Sequence, residues 1–412
     1  MTWRGGLPVE DTPDFEFLTP GRNWEYNYFL RGRVNKIKAL RSFIVVSTAI
    51  FAAFCAKDKN VWRGSIEEVN GVTIVRNPEE PIYEGNLFTA EEELSIGGEE
   101  GSDTYAFSDI SHLTADDQGR IYALDRKESH VKVFDAEGRY LRTIGRPGQG
   151  PGDLNEPIFV YFLRNELLVT QYERLSFFSP EGDLLRTVPM VKETPTRARC
   201  NSRGNIIGTS TVYDPATPKT YAFVLKLYDP EVNPIKELAR MQLERSLGPT
   251  VKPMRPTVYM TVDDQDNVIF GYPERYEIQV FDPDGNLTRK ILKTYKPVAI
   301  AEEEKAASIE GAPPQIKFEF PEHHPPFLRF IHDEMGRLYV QTYERAAAKD
   351  VYLHDVFDRD GRYIARVPLK RVPVLFRNGN LYSLEETEEG YPVIKRYRVT
   401  AASRSSPSGK KG

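Results

Sequence analysis

Four arginines recur directly after an acidic residue at the ends of apolar stretches along the 412-residue chain. A guanidinium presents paired N–H donors that match a carboxylate or phosphate group, so four of them on one surface would favour an anionic ligand. The alternative is that each arginine pairs with its own or a neighbouring acid and only holds a loop in place. The four positions are Arg126, Arg174, Arg275 and Arg345.

Three further polar residues share a second equivalent position, seven residues before the glycine of a recurring turn. They are His112, Arg197 and Arg329. We expect the strand that carries this position to line a central channel, so that some of the three side chains point into its mouth. The alternative is that they pack between repeats with satisfied hydrogen bonds.

The most glycine-rich stretch, "IGRPGQGPGD" from Ile144 to Asp153, raises the question of phosphate binding. A P-loop requires Lys and then Ser or Thr after its last glycine, and neither follows here. A dinucleotide-binding turn requires a helix, whereas "DLNEPIFVYFL" contains Pro157 and strand-forming residues. We therefore interpret the stretch as a connection between two pieces of sheet, with Arg146 as a further candidate ligand-binding residue.

An internal repeat positions all of these residues. One phrase recurs as "VFDAEGRYLRTI" from Val133, "FFSPEGDLLRTV" from Phe177, "VFDPDGNLTRKI" from Val280 and "VFDRDGRYIARV" from Val356. Its Asp and Gly suit a tight hairpin turn, because Asp caps the turn and Gly permits a positive φ. A second phrase of turn and strand, such as "DDQGRIYALD", precedes each copy. Four strands, a to d, repeated every 40 to 70 residues are typical of the blades of a β-propeller.

The ends of the repeat predict how the ring closes. Six copies of the a–b phrase are present, but the last copy ends after strand c, "PVIKRYRV". The stretch from Leu87, which contains Glu93 to Ile96, aligns with a c–d hairpin and would supply the missing strand d. We therefore predict an all-β, six-bladed propeller of four-stranded antiparallel blades over residues 85–400, closed by an N-terminal strand that completes the last blade.

The phrase "GRIYALDRKESHVKVFDAEGRYLRTIG" resembles an NHL repeat. From Trp62 on, the chain resembles uncharacterised bacterial six-bladed β-propeller proteins, many of them predicted lipoproteins; "WRGSIEEVNGVTIVRNPEEPIYEG" and "IGRPGQGPGDLNEP" carry this likeness most clearly. The resemblance implies a fold and no reaction. Related propellers include lyases and lactonases, so an enzyme with a central divalent metal, such as Ca²⁺, is the alternative to a binding protein.

Motifs for catalysis or metal binding are weak. His323 and His324 are adjacent, and adjacent residues of an extended segment point to opposite sides. The sequence "DDQDN" at residues 263–267 lacks the Gly and the final Glu of a calcium loop and coincides with a repeat turn. No G-x-S-x-G elbow is present, and no set of acids in register matches the lactonase-type calcium site. We predict no catalytic residue, no metal ligand and no cofactor.

The N-terminal region resembles an export signal. Lys36, Lys38 and Arg41 precede the uncharged run "SFIVVSTAIFAAFCA", which is short for a spanning helix. The run ends near Cys55, a candidate lipidation site, although Ala52 and Phe54 depart from the preferred lipoprotein pattern. A lipid anchor, a cleaved signal and an uncleaved anchor all stay open, and each predicts an exported protein in the periplasm or on the outer surface.

These observations divide the chain into an unstructured or wrongly included extension (1–33), a signal peptide or anchor (34–56), a linker and lead-in (57–84), the propeller (85–400) and a disordered tail (401–412). The insertion "AIAEEEKAASIEG" at residues 299–311 predicts a short helix over the face that carries the arginines. A net charge of −5 gives no reason to expect nucleic acid as a partner. We expect a monomer that binds a small molecule or a protein, with an anionic group favoured, and that contacts a membrane only through its N-terminus.

Overall fold

The computed structural model describes residues 60–98, 103–163, 165–189, 195, 197–245, 250–313, 315–348, 351–370 and 373–402. The predicted extension, the predicted signal or anchor with Cys55, and the tail beyond residue 402 lie outside the described residues. No helix within the described ranges is long and apolar enough to cross a membrane.

Six antiparallel blades of four strands each form the body of the structure. Blade 1 contains β4 (Ile110–Ala115), β5 (Ile121–Asp125), β6 (His130–Phe134) and β7 (Tyr140–Ile144). Blade 2 contains β8 (Phe159–Leu163), β9 (Glu166–Thr170), β10 (Arg174–Phe178) and β11 (Leu184–Pro189). Blade 3 contains β12 (Arg197–Cys200), β13 (Ile206–Val212), β14 (Thr220–Tyr228) and β15 (Pro234–Glu244).

The second half of the ring repeats this order, and strands a to d run from the channel outward in every blade. Blade 4 contains β17 (Tyr259–Val262), β18 (Val268–Gly271), β19 (Glu277–Phe281) and β20 (Leu287–Lys293). Blade 5 contains β22 (Arg329–His332), β23 (Leu338–Arg345), β24 (Val351–Phe357) and β25 (Tyr363–Lys370). Blade 6 contains β26 (Pro373–Arg377), β27 (Asn380–Glu386), β28 (Pro392–Ala401) and β3 (Phe88–Gly97).

The pairing of β3 with β28 confirms the predicted closure, since an N-terminal strand completes the last blade. The innermost strands contact one another around the ring, including β26 of blade 6 with β4 of blade 1. The sheet of blade 6 thus contains strands from both ends of the propeller. Their pairing removes the free edge that β3 or β28 would present alone. The predicted all-β, six-bladed architecture is therefore confirmed.

The lead-in before the ring forms a hairpin of β1 (Ser65–Val69) and β2 (Val72–Asn77), which the sequence repeat does not predict. Strand β2 pairs in parallel with β20, so the sheet of blade 4 has six strands. Asn77 then links two blades: its Nδ2 donates to Leu292 O at 3.1 Å and to Gly361 O at 2.9 Å, and its Oδ1 accepts from Tyr363 N at 2.7 Å. The hairpin thus fastens blade 4 to blade 5.

The recurring turns show why the repeat folds as it does. In the turn of blade 1, Asp116 Oδ1 accepts the backbone N–H groups of Gln118 and Arg120, each at 2.9 Å. Gly119 adopts a φ of +78°, where a side chain is disfavoured. Tyr122 OH donates to Asp116 Oδ2 at 3.1 Å, so the turn is also tied to the buried strand beside it.

Buried apolar side chains fill the contacts between neighbouring blades. Leu124 and Val169 meet between blades 1 and 2, and Phe327 and Phe357 belong to the cluster between blades 4 and 5. Each blade therefore depends on its neighbours for burial, because a single four-stranded sheet has two faces to cover.

A buried polar group lies between blades 4 and 5, around Asp355. Asp355 accepts from Tyr276 OH at 2.9 Å, Tyr363 OH at 2.7 Å and Arg366 Nε at 2.8 Å. Lys293 Nζ lies 3.4 Å from Asp355 Oδ2, and both side chains have 0% exposure. Burial lowers the pKa of Lys293, and the Asp355 carboxylate opposes that change.

Candidate functional site

A cavity of about 220 Å³ opens at the centre of the ring, where the innermost strands of blades 1 to 5 begin. We call it the channel cavity. It lies on the face that carries the b–c loops and the connections between blades, which we call the loop face. The described residues that line it include no acid; they are Ser111, His112, Phe159, Arg197, Arg199, Thr209, Val258, Tyr259, Met260, Arg329, Phe330 and Ile331.

Arg199 is the most unusual of these residues. Its guanidinium carbon stacks 4.0 Å from the ring centroid of Tyr161 and 5.4 Å from that of Phe159. Burial lowers the pKa of Arg199 from 12.5 to about 9, so the side chain still carries its charge at neutral pH. No ion pair joins it to any acid of the described ranges. Arg199 is partly buried, and an anion in the cavity would offset the cost of desolvating its charge.

His112 adds a neutral polar group to the same cavity. Its ring packs edge-on against Phe159 and Tyr161, and its Nδ1 is buried with no hydrogen-bond partner among the described residues. Burial lowers the pKa of His112 to about 3, and the nearby charges of Arg199 and Arg329 act in the same direction. The imidazole is therefore neutral at physiological pH and can exchange a hydrogen bond with a ligand.

Arg197 and Arg329 complete the basic lining. Arg197 Nη1 donates to Val258 O at 3.1 Å, and this hydrogen bond holds the Arg197 side chain beside the start of the innermost strand of blade 4. Arg329 begins the innermost strand of blade 5 and lines the channel cavity from the other side. Burial raises the pKa of Tyr259, which lies between them as a neutral phenol. Three arginines and two neutral polar rings thus face one space.

The four arginines of the b–c loops are not brought into this cavity. Arg126 pairs with Asp109 at 3.1 Å, Arg275 with Glu277 at 3.1 Å, and Arg345 with Glu304 at 2.8 Å. All three side chains remain largely exposed. Their positions on the loop face agree with the expected register, but each guanidinium already has a carboxylate partner.

Arg174 and Arg146 hold the glycine-rich connection between blades 1 and 2. Arg174 donates to the carbonyls of Gln149 at 3.0 Å and Asp153 at 2.7 Å. Arg146 Nε donates to Asp153 Oδ1 at 2.7 Å, while Asp153 Oδ2 accepts from Gly150 N at 3.0 Å. A carboxylate therefore occupies the position in which a phosphate-binding loop would hold its ligand.

The insertion between blades 4 and 5 forms the helix α1 (Glu302–Ser308), inside the predicted range and against the predicted face. Glu304 of this helix accepts from His324 Nε2 at 3.0 Å and from Arg345 Nη2 at 2.8 Å. The short strands β16 (Thr250–Val251) and β21 (Lys317–Phe318) pair in parallel, so the insertions before and after blade 4 meet on the loop face.

Sequence reasoning missed Arg199 and found its neighbours. Comparison of one equivalent position in each repeat selects His112, Arg197 and Arg329. All three line the channel cavity in the structure. Side chains two apart on a strand point to the same face, so Arg199 follows Arg197 into the channel. Applying that period to each innermost strand would have found Arg199 and also Tyr161.

The described residues contain no group of three or more His, Cys, Asp or Glu side chains that could hold a metal ion. In the channel, where propeller enzymes with a central metal would need such ligands, the ionised side chains are arginines. Their positive potential disfavours a divalent cation. The arrangement therefore favours an anion over a metal in this cavity.

A separate cavity of about 760 Å³ lies on the opposite face, beside blades 5 and 6. The lead-in and the end of β28 line it, together with the turn that contains Asp333 and Arg337. Those two charges pair with each other at 2.6 Å. The ionised side chains that line this cavity are mostly acids, whereas those that line the channel cavity are arginines.

Comparisons with known proteins agree with this architecture. The family DUF5128, described as a 6-bladed beta-propeller, matches residues 100–157, which span blade 1 and the glycine-rich connection. The chain is a six-bladed β-propeller. A search of the curated proteins gave no match.

Solved structures resemble this propeller over most of its length. A candidate exported protein from Bacteroides fragilis aligns with a TM-score of 0.53 and 11% identity, over 79% of this chain and 99% of that one. A duf4221-family protein from Bacteroides vulgatus gives 0.49 and 13%, over 76% and 98%. A gluconolactonase from Xanthomonas campestris gives 0.42 and 13%, also over 76% and 98%. At 11% identity, the likeness to the Bacteroides fragilis protein shows the fold alone.

Proposed function

We propose that this propeller binds a small anionic ligand in the channel cavity, through the guanidinium groups of Arg197, Arg199 and Arg329. The observation that carries the proposal is Arg199, a partly buried cation that lines the cavity, stacks on Tyr161 and has no acidic partner in the described structure. Proteins seldom retain such a charge unless it is paired, coordinates a ligand or is needed for function. An anion would supply the missing partner.

The cavity also sets the size and shape of the ligand. A volume of about 220 Å³ fits one small acidic group with a few attached atoms. The rings of Phe159, Tyr259 and Phe330 line the space, while His112 supplies a neutral hydrogen-bonding group. A carboxylate, sulfate or phosphate would therefore be held by charge at its oxygens and by ring faces around it.

We place this binding activity in an exported cell-envelope protein, as the N-terminal signal pattern and the propeller fold favour. A metal-dependent catalytic role has no comparable support, because the described residues include no set of side chains that could hold a metal ion. Binding without reaction is accordingly the function that the geometry favours.

Titration of the purified full chain with sulfate, inorganic phosphate and citrate at low ionic strength tests the proposal. At least one anion should bind, measured by calorimetry against sodium chloride at matched ionic strength. Arg199→Met should abolish that binding, whereas Arg275→Gln removes an equal charge from the same face and should leave it intact.

Wild-type protein that binds none of these anions, or an Arg199→Met variant that binds them as well as wild type, would contradict the proposal. Arg199→Lys separates two contributions, since it keeps the positive charge and loses the paired donors. We expect it to retain weak binding.

A further inference from the structure

A groove of about 920 Å³ adjoins the channel cavity on the loop face. It runs between the b–c loop of blade 6 and the start of blade 1, and we call it the blade-6 groove. Ser111 and Arg329 line both the groove and the channel cavity, so the two spaces share a wall. A ligand held by its acidic end at Arg329 would therefore have room to extend into the groove.

The blade-6 groove carries acidic side chains, which the channel cavity lacks, beside the Arg329 that both spaces share. Asp109, Glu385 and Glu386 line it, together with Lys370. Asp109 is paired with Arg126, and Glu385 with Lys370 at 2.5 Å. Glu386 is exposed, and no ion pair or hydrogen bond joins it to another described side chain. The groove thus presents one uncompensated carboxylate beside a basic cavity.

The rest of the groove lining is polar or aliphatic. No aromatic side chain occurs among the described residues that line it, whereas sugar rings are commonly bound through aromatic faces. Serine and threonine hydroxyls, from Ser108, Ser111 and Thr387, can donate to or accept from amide groups. This chemistry matches an extended peptide better than a saccharide.

We propose that the ligand is a short peptide with a free C-terminus, bound with its terminal carboxylate in the channel cavity and a basic side chain near Glu386 in the blade-6 groove. The inference rests on the proposed function, since the carboxylate is the anion that Arg197, Arg199 and Arg329 hold. A peptide joins in one molecule the acidic end that the cavity requires and the cation that the groove requires.

Four probes test the inference on the full chain by calorimetry: the peptide Gly-Lys-Ala-Ala, its C-terminal amide, the peptide Gly-Glu-Ala-Ala, and sulfate. Loss of the terminal charge should weaken binding roughly 30-fold or more, because Arg199 would lose the anion that offsets its partly desolvated charge. Replacing Lys by Glu in the peptide should weaken it about two- to fivefold or more.

The variant Glu386→Gln tests whether the basic side chain of the peptide lies in the blade-6 groove. It should weaken Gly-Lys-Ala-Ala about two- to fivefold and leave sulfate binding unchanged, since sulfate occupies only the channel cavity. Glu388→Gln is the matched control: Glu388 is a nearby exposed acid of the same loop that does not line the groove, and its replacement should change neither affinity.

The outcomes separate this inference from the proposed function. Sulfate binding that depends on Arg199, combined with equal affinity for the free and amidated peptides, would overturn the peptide assignment and leave the anion site standing. Peptide binding that Glu386→Gln does not alter would overturn the placement in the groove. Failure of sulfate, inorganic phosphate, citrate and both free-acid peptides to bind would overturn both proposals.

Discussion

Replacing Arg199 with methionine should make the propeller more stable and unable to bind anions. The charged form of a guanidinium whose pKa falls from 12.5 to about 9 is destabilised by on the order of 5 kcal/mol. Part of the side chain faces the open cavity, and solvent there reduces the cost. We therefore expect Arg199→Met to raise the free energy of unfolding by about 1–3 kcal/mol, because methionine keeps the contact with Tyr161 and removes the charge.

Urea denaturation at pH 7, in a buffer without multivalent anions, measures this change. The midpoint should rise with an unchanged slope, and the melting temperature should rise by roughly 2 °C for each kcal/mol. Arg197→Met is the matched control, since Arg197 is exposed and should change stability by only about 0.5 kcal/mol in either direction.

Addition of the bound anion should reverse the order of stability. A ligand at 100 times its Kd stabilises the wild type by about 2.7 kcal/mol, and the variant should gain nothing. If Arg199→Met instead unfolds at lower urea than the wild type, Arg199 is a structural residue and the reasoning from its missing partner is refuted.

The remaining predictions concern pH and the contacts between blades. Sulfate keeps its charge from pH 5 to 10, and burial lowers the pKa of His112 to about 3 and that of Arg199 to about 9. The affinity for sulfate, measured by calorimetry, should therefore stay level from pH 5 to 8 and fall above pH 9 as Arg199 loses its proton. A fall in affinity between pH 6 and 7 would contradict this. Asp355→Asn leaves Lys293 without its carboxylate and should cost about 3–5 kcal/mol in urea denaturation, whereas the exposed control Asp360→Asn should be nearly neutral. Asn77→Ala removes hydrogen bonds to Leu292, Gly361 and Tyr363, so the free energy of unfolding should fall by roughly 2–3 kcal/mol. Limited proteolysis before residue 84 should also become faster. Unchanged cleavage would show that the hairpin does not depend on Asn77.

Much of the propeller was predictable because its signals are local. Most of the turns carry an Asp and a Gly, and the hydrogen bonds that these form span four residues or fewer, as Asp116 and Gly119 show. The alternation of apolar residues then assigns strands, and the incomplete last copy predicts that β3 closes the ring. The hairpin β1–β2 escaped because its partner strand β20 lies more than 200 residues away and no repeat relates the two.

The candidate site was predicted in part for the same reason. His112, Arg197 and Arg329 share a register position, and repeat geometry alone brings equivalent positions of different blades to one mouth. The same register places Arg126, Arg275 and Arg345 on the loop face, yet it does not say which acids they meet. Glu304, the partner of Arg345, comes from an insertion outside the repeat.

The sequence by itself determined the fold class, the number of blades, the closing strand and the face on which to look for a ligand, because turn chemistry and strand periodicity act between near neighbours. Only the tertiary structure decided which charges are compensated. Arg174 donates its hydrogen bonds to the carbonyls of a folded loop, while Arg199 is partly buried and stacks on Tyr161 of the neighbouring blade without an acid beside it. Burial and pairing are properties of the closed ring, since both depend on residues that meet only when all six blades are in place.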